Sequence, residues 1–184
     1  MKLALVGLPG CGKSTIGRQL SHRLALSYVD TDNEIEAEIG MPIRAYFDQH
    51  GEEAFRDVEQ FVLQRLCERG DMVLATGGGA VLRAANRAAL KRDCTVVYLR
   101  ASADDLWRRL RHDTKRPLLQ VSDGLSRLRQ LAEEREPLYR QIADIVVDTG
   151  KPSVRTIMNI IAMQVELANP KAVPPHLGMD DSPP

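Results

Sequence analysis

Residues 7–14 read Gly7-Leu8-Pro9-Gly10-Cys11-Gly12-Lys13-Ser14, placed between a short apolar run, Leu3 to Leu8, and an amphipathic segment. This G-x-x-x-x-G-K-[ST] order, opening from a buried strand into a helix, is a phosphate-binding loop. Its glycines let successive backbone N–H groups turn toward a phosphate, its lysine reaches the β- and γ-phosphates, and its hydroxyl serves Mg²⁺. Gly10, Cys11, Gly12, Lys13, Ser14 and Thr15 are therefore the candidate ATP-binding residues. Lys13 is also a candidate catalytic residue, and Ser14 a candidate ligand of Mg²⁺. The loop specifies a phosphate donor and leaves the acceptor to the rest of the chain.

Strand-like and helix-like patterns alternate after it. Ile16, Leu20 and Leu24 mark one buried stripe and predict a helix over Ser14 to Leu26. "SYVD" reads as a short strand ending at Asp30. A helix is expected over Asn33 to Ile39, with Asp32 as its cap and Gly40 as its stop, and a short helical piece from Pro42 through Phe47. A longer helix is expected after Gly51, with Phe55, Val58, Phe61, Val62 and Leu66 on one face and Gly70 at its end. "MVLAT", "TVVYL" and "DIVVDT" are continuous apolar runs suited to buried parallel strands. Ser102 to Asp105 resembles a helix start, and Ser153 to Leu167 a closing helix. The expected fold is α/β: a five-stranded parallel sheet covered by helices on both faces. The domain is expected over 1–168, with a polar lid at about 112–122 and a Pro-rich, disordered tail over 169–184.

Charge narrows the partners. Twenty-five basic residues balance twenty-five acidic ones, which points away from nucleic acid and from an anionic membrane surface. The six-residue apolar run near the N-terminus is shorter than a signal h-region, and no segment reaches transmembrane length. Cys11, Cys67 and Cys94 are odd in number and lack metal-ligand spacing, as expected of free thiols in a reducing cytoplasm. Cys11 is either a buried inert thiol or, beside a helix N-terminus, an oxidisable one. His22, His50, His112 and His176 show no metal spacing and are expected at the surface. Small size and the lack of an interface stripe favour a monomer.

A P-loop enzyme needs a carboxylate near its metal. Neither "TVVYLR" nor "MVLAT" ends in one, which leaves Asp30, followed two residues later by Asp32. In a D-T-D segment one aspartate can face Mg²⁺ and the other an acceptor hydroxyl, although Asp32 is equally suited to capping a helix. Arg56 lies in an otherwise apolar helical stretch with Glu59 one turn on, either orienting the guanidinium or forming an exposed pair. Gly77, Gly78 and Gly79 follow a buried strand, where absent side chains allow close backbone approach to a ligand or a hinge.

Several of these motifs, in this order, closely resemble shikimate kinases: G-L-P-G-C-G-K-S-T, D-T-D at 30–32, "FRDVE" at 55–59, "GGG" at 77–79, "RPLL" at 116–119 and "REPLY" at 135–139. The resemblance covers about residues 2–165. It implies the five-stranded fold of nucleoside-monophosphate kinases, with mobile substrate-binding and lid segments. It also implies transfer of the ATP γ-phosphate to the 3-hydroxyl of shikimate. On that resemblance Arg56 and Arg135 bind the substrate carboxylate, and the backbone of Gly77 to Gly79 contacts substrate. Asp30 supports Mg²⁺ largely through water, and Asp32 binds the shikimate hydroxyls and orients or deprotonates the attacking one. Arg116 swings onto the phosphates, while Arg109 and the Lys151-Pro152 loop frame adenine. Two rivals remain: a related kinase of gluconate or a nucleoside monophosphate, and a nucleotide-binding regulatory module without turnover. Arg56, the triple glycine and Arg135 favour a compact carboxylated polyol. Retention of Lys13, Ser14, Asp30, Asp32 and Arg116 favours turnover.

Overall fold

The computed structural model describes residues 1–110 and 123–168. The expected lid, with His112 and Arg116, and the expected tail, with His176, lie outside the described residues. Elements run in the order β1 (Lys2–Val6), α1 (Lys13–Leu24), β2 (Ser27–Asp30), α2 (Thr31–Ile39), α3 (Ile43–Glu68), β3 (Met72–Ala75), α4 (Ala84–Asp93), β4 (Thr95–Arg100), α5 (Ala103–Leu110), α6 (Gly124–Ile142), β5 (Ile145–Asp148) and α7 (Val154–Ala168). The strands form one sheet in the order β2-β3-β1-β4-β5, and every pairing is parallel.

The three inner strands are the ones whose sequence is apolar without alternation, because helices cover both of their faces. Leu3, Leu5, Val73, Leu74, Val97 and Leu99 are all fully buried. Edge strand β5 instead alternates, with Ile145 and Val147 inward and Val146 exposed. A parallel sheet delivers every strand's carboxyl end to the same rim. The loops after β1, β2 and β3 therefore converge there, as expected for ligand sites of open α/β sheets.

Several local expectations are corrected. Helix α1 ends at Leu24 rather than Leu26, because Ala25 takes a left-handed conformation (φ 53°) and the Leu26 N–H returns to the Ser21 carbonyl. Helix α2 starts at Thr31, directly off β2, and its cap is Asp30, whose Oδ1 accepts from the Asp32 N–H at 3.0 Å. Asp32 is thereby released from capping. The two helical pieces expected on either side of Gly51 join into α3, which bends at that residue (φ 81°).

The buried stripe of α3 is Phe55, Glu59, Val62, Leu63 and Leu66. Phe61 is 55% exposed, because at 100° per residue it lies about 140° from the centre of that stripe, and it sits beneath the Arg65 guanidinium instead. Glu59 takes the place in the buried stripe that a hydrophobe would ordinarily hold. Helices α4 and α6 had no specific sequence expectation, and Pro137 inside α6 masks its period. The three cysteines are free and buried. His22 and His50 are exposed, as expected. Among the described residues no helix is long and apolar enough to cross a membrane.

Candidate active site

A cleft of about 900 Å³ opens along the sheet rim, floored by the P-loop at one end and walled by α2, α3, the triple-glycine segment and α6 at the other. At the P-loop end Gly10 and Gly12 have φ of 85° and 102°, left-handed conformations that glycine adopts without a Cβ clash. Gly12 caps α1 with no side-chain acceptor, so the helix begins with N–H groups directed at the cleft. Lys13 Nζ folds across the loop and donates to the carbonyls of Gly7 (2.7 Å) and Leu8 (2.9 Å), within 3.7 Å of Cys11 Sγ. Cys11 does not line the cleft: it is 1% exposed and its N–H turns back to the Leu8 carbonyl, so it belongs to the loop's underside. Ser14 and Thr15 do line it.

Beside the loop, Ser14 Oγ donates to Asp30 Oδ2 at 3.2 Å, and the Tyr28 hydroxyl donates to the same oxygen at 3.1 Å. Asp30 thus holds α2 through one oxygen and presents the other next to Ser14. Asp32 stands one helical step further, facing the acceptor end. Its pKa is raised from 3.8 to about 6, first by burial within the cleft walls and then by the negative charges of Asp30 and Glu59, with Lys13 pulling the other way. The Asp32 side chain nonetheless remains open to solvent through the cleft mouth.

The acceptor end is a set of buried charges drawn from distant segments. Arg56 Nη1 donates to Glu59 Oε2 at 2.6 Å, with side-chain exposures of 11% and 4%, which excludes a solvated surface pair. Burial raises the Glu59 pKa, opposed by Arg56 and then Arg135. Arg135 is only 8% exposed, forms no carboxylate ion pair among the described residues, and leaves Nε buried without a partner. The glycine triplet touches each of these groups in turn. A Cβ on Gly77 would lie 3.0 Å from Asp32 Oδ1, one on Gly78 would lie 3.4 Å from Arg135 Nη1, and one on Gly79 would lie 2.5 Å from Arg56 Nη1. A Cβ at Gly79 would thus displace the Arg56 guanidinium, while at Gly77 and Gly78 it would meet only tight or ordinary contacts.

Arg109 donates to the carbonyls of Thr149 and Gly150, next to Lys151 and Pro152. The structure therefore brings these three residues together, but in a corner outside the lining of the main cleft. Sequence reasoning assigned no role to Thr31, whose Oγ1 accepts from the Gly77 N–H at 2.9 Å, or to Tyr139, whose hydroxyl donates to the Gly78 carbonyl at 2.6 Å. For Tyr139 a signal existed: it lies four residues after Arg135, on the same helix face. Arg44, Phe47 and Asp48 also line the cleft without having been singled out.

Comparison with known proteins gives one consistent result. The family model "Shikimate kinase" matches residues 9–166. A shikimate kinase of Cupriavidus pinatubonensis is 51% identical over 166 residues, covering 90% of this chain and 86% of that protein. One of Burkholderia lata is 52% identical over 169 residues, covering 92% of each. Among solved structures, the chain is similar to the shikimate kinase of Acinetobacter baumannii in complex with shikimate, with TM-score 0.87, 39% identity, and 92% and 95% of the two chains covered. It is also similar to that of Aquifex aeolicus, with TM-score 0.79, 31% identity, and 94% and 99% covered. A gluconokinase of Sinorhizobium meliloti, at 18% identity and TM-score 0.58, shares the fold alone. Sequence match and fold agree: the chain belongs to the shikimate kinase family and is an ATP-dependent kinase.

Proposed function

We propose that this shikimate kinase transfers the γ-phosphate of ATP to the 3-hydroxyl of shikimate, giving shikimate 3-phosphate and ADP for aromatic amino acid biosynthesis, with the cleft divided as follows. The P-loop receives the phosphates through the backbone N–H groups of Gly10 and of Gly12 to Thr15, with Cys11 beneath them. Lys13 exchanges its carbonyl partners for the β- and γ-phosphate oxygens. Ser14 and Asp30 would hold Mg²⁺, Asp30 largely through water. The fit rests on two hard oxygen donors 3.2 Å apart beside the loop, the one-carboxylate set that suits an ion completing its shell with water and phosphate. Bound there, Mg²⁺ neutralises charge on the transferring phosphoryl group.

Arg135 and Arg56 receive the shikimate carboxylate, and Gly77 to Gly79 supply backbone contacts to the ring substituents. The observation that carries this reading is Arg135, a cation nine-tenths buried, aimed into the cleft and without a carboxylate partner among the described residues. A buried charge is stable only with a counter-ion, and an anionic substrate supplies one. Arg56 adds a second cation that Glu59 holds in place from behind.

Asp32 takes the attacking hydroxyl. With a pKa near 6 it is ionised at neutral pH yet more basic than an ordinary aspartate. It thus orients the hydroxyl and accepts its proton as the new phosphorus–oxygen bond forms. Arg116, outside the described residues, is assigned to the phosphates on the family resemblance, and Arg109 with Lys151-Pro152 to adenine. Small size and the lack of an interface stripe in the sequence favour a monomer. ATP use and three unpaired thiols support a cytoplasmic setting. A coupled assay of ADP release tests the whole reading: turnover should require shikimate, and comparable release with gluconate or a nucleoside monophosphate would refute it.

A further inference from the structure

The triple-glycine segment has no side chains to fix it, yet its peptide planes are individually held. The Gly77 carbonyl accepts from the Ala80 N–H at 3.1 Å and the Gly79 carbonyl from the Leu82 N–H at 3.0 Å, both within the same turn. The Gly78 carbonyl has no such local partner. It accepts instead from the Tyr139 hydroxyl at 2.6 Å, sixty-one residues away on α6. In a trans peptide the carbonyl and the following N–H point in opposite directions, so holding the Gly78 carbonyl fixes where the Gly79 N–H points. A Gly–Gly peptide rotates readily because neither flanking residue has a Cβ. This single side-chain bond therefore decides the orientation of that donor.

Tyr139 is built to hold still. It is fully buried, its ring stacks on Tyr98 with centroids 5.1 Å apart, and it lies one turn beyond Arg135 on the same helix. Burial pushes its phenol well above the ordinary range, which keeps it a proton donor across the working pH. From the opposite wall Thr31 Oγ1 accepts from the Gly77 N–H at 2.9 Å, next in sequence to Asp32.

We propose that Tyr139 is a positioning residue for the acceptor: its hydroxyl locks the Gly78–Gly79 peptide so that the Gly79 N–H faces the cleft as a donor to the oxygen-bearing substrate. Helix α6 then aims two substrate contacts at once, Arg135 directly and the Gly79 N–H through Tyr139. The inference rests on the reading of this end of the cleft as the shikimate site.

The test is Tyr139→Phe, which keeps the ring and removes one hydroxyl, with Tyr98→Phe as a control for loss of a hydroxyl from the same core. Shikimate affinity measured by calorimetry, and KM for shikimate, should each weaken by about 10-fold in Tyr139→Phe, the scale of one buried hydrogen bond. Affinity for a non-hydrolysable ATP analogue should not change, and Tyr98→Phe should match the parent in both. Unchanged shikimate affinity in Tyr139→Phe, or equal weakening of both ligands, would overturn the proposal. Arg135→Ala run in parallel separates the two levels. If it too leaves shikimate affinity intact, the site reading has failed; if it weakens shikimate while Tyr139→Phe does not, only the positioning role has failed. Should Tyr139→Phe not fold, the ¹⁵N-labelled parent decides: shikimate should shift the Gly79 amide resonance, and a Gly79 amide indifferent to shikimate refutes the lock.

Discussion

The phosphate loop is one continuous peptide, residues 7–15, whereas the proposed acceptor end is drawn from four segments around positions 32, 55–59, 77–79 and 135–139. The first works mainly through backbone N–H groups and a single cation that is already satisfied by its own loop carbonyls. The second, as proposed, works through charges whose balance depends on one another: the largely buried Arg56, Arg135 and Glu59, with Asp32 open to the cleft mouth. A local motif tolerates change elsewhere in the fold, because its geometry is set within a few residues. A composite site of interdependent charges does not, and substitutions there should show selective loss of the acceptor.

The sharpest break between the two ends is expected from Asp32→Asn. The amide keeps the shape but loses the charge and the proton acceptor, so kcat should fall by about 10²- to 10⁴-fold, while binding of a fluorescent ATP analogue stays unchanged. Parallel loss of nucleotide binding would mean that Asp32 serves the phosphate end.

Arg135→Ala should come next. Removing one partner of a desolvated ion pair costs about 2–5 kcal/mol, read as weaker shikimate binding by calorimetry with nucleotide affinity as the internal control. Arg56→Ala is a poorer probe despite its similar role. It strands the buried Glu59 carboxylate, and breaking a buried pair costs roughly 3–5 kcal/mol of stability, so its thermal denaturation should shift far more than that of Arg135→Ala.

Gly79→Ala tests the crowding of the composite wall. Its methyl would fall 2.5–2.8 Å from the Arg56 guanidinium, which Glu59 already anchors. An overpacking cost of about 1–3 kcal/mol should appear as weaker shikimate binding and a lower melting temperature, with ATP-analogue affinity spared.

The smallest effect concerns stability against pH. Asp32 titrates in the native state near 6 against an ordinary 3.8, so the folded chain holds its proton more tightly than the unfolded one. Stability from this group is complete below about pH 4 and is lost as pH rises through about 6. Asp32→Asn should therefore melt higher than the parent at pH 8. Because the side chain is open to solvent, the gain should stay within about 1 kcal/mol, and it should vanish near pH 4. A gain independent of pH would remove the charge explanation. The catalytic counterpart is kcat/KM falling as pH drops through about 6, when Asp32 becomes protonated.

How far each feature could be read from the sequence follows the range of the forces that set it. The P-loop, the five strands and the closing helix were legible because strand burial and loop turning are decided by neighbouring residues: Leu3 to Val6 must be buried on both faces, and Gly10 and Gly12 must turn. The D-T-D segment was legible as two carboxylates but not as a division of labour. Only the exit of β2 straight into α2 makes Asp30 the cap and leaves Asp32 available to an acceptor. The family resemblance assigned Arg56 and Arg135 to the substrate, and spacing offered Glu59 to Arg56, but the sequence did not show that this pair is buried while Arg135 has no carboxylate ion pair among the described residues. That distinction arises from the approach of α3 and α6 to the same glycine segment. Thr31 gave no signal in sequence, and Tyr139 showed only the helix face it shares with Arg135, since a hydroxyl reveals its partner only after a chain 46 or 61 residues distant has folded against it. Short-range backbone chemistry determined the sheet and the phosphate loop from sequence alone. The electrostatics of the acceptor site were decided by tertiary packing, because desolvation and Coulomb interactions depend on which groups meet in space and not on their order along the chain.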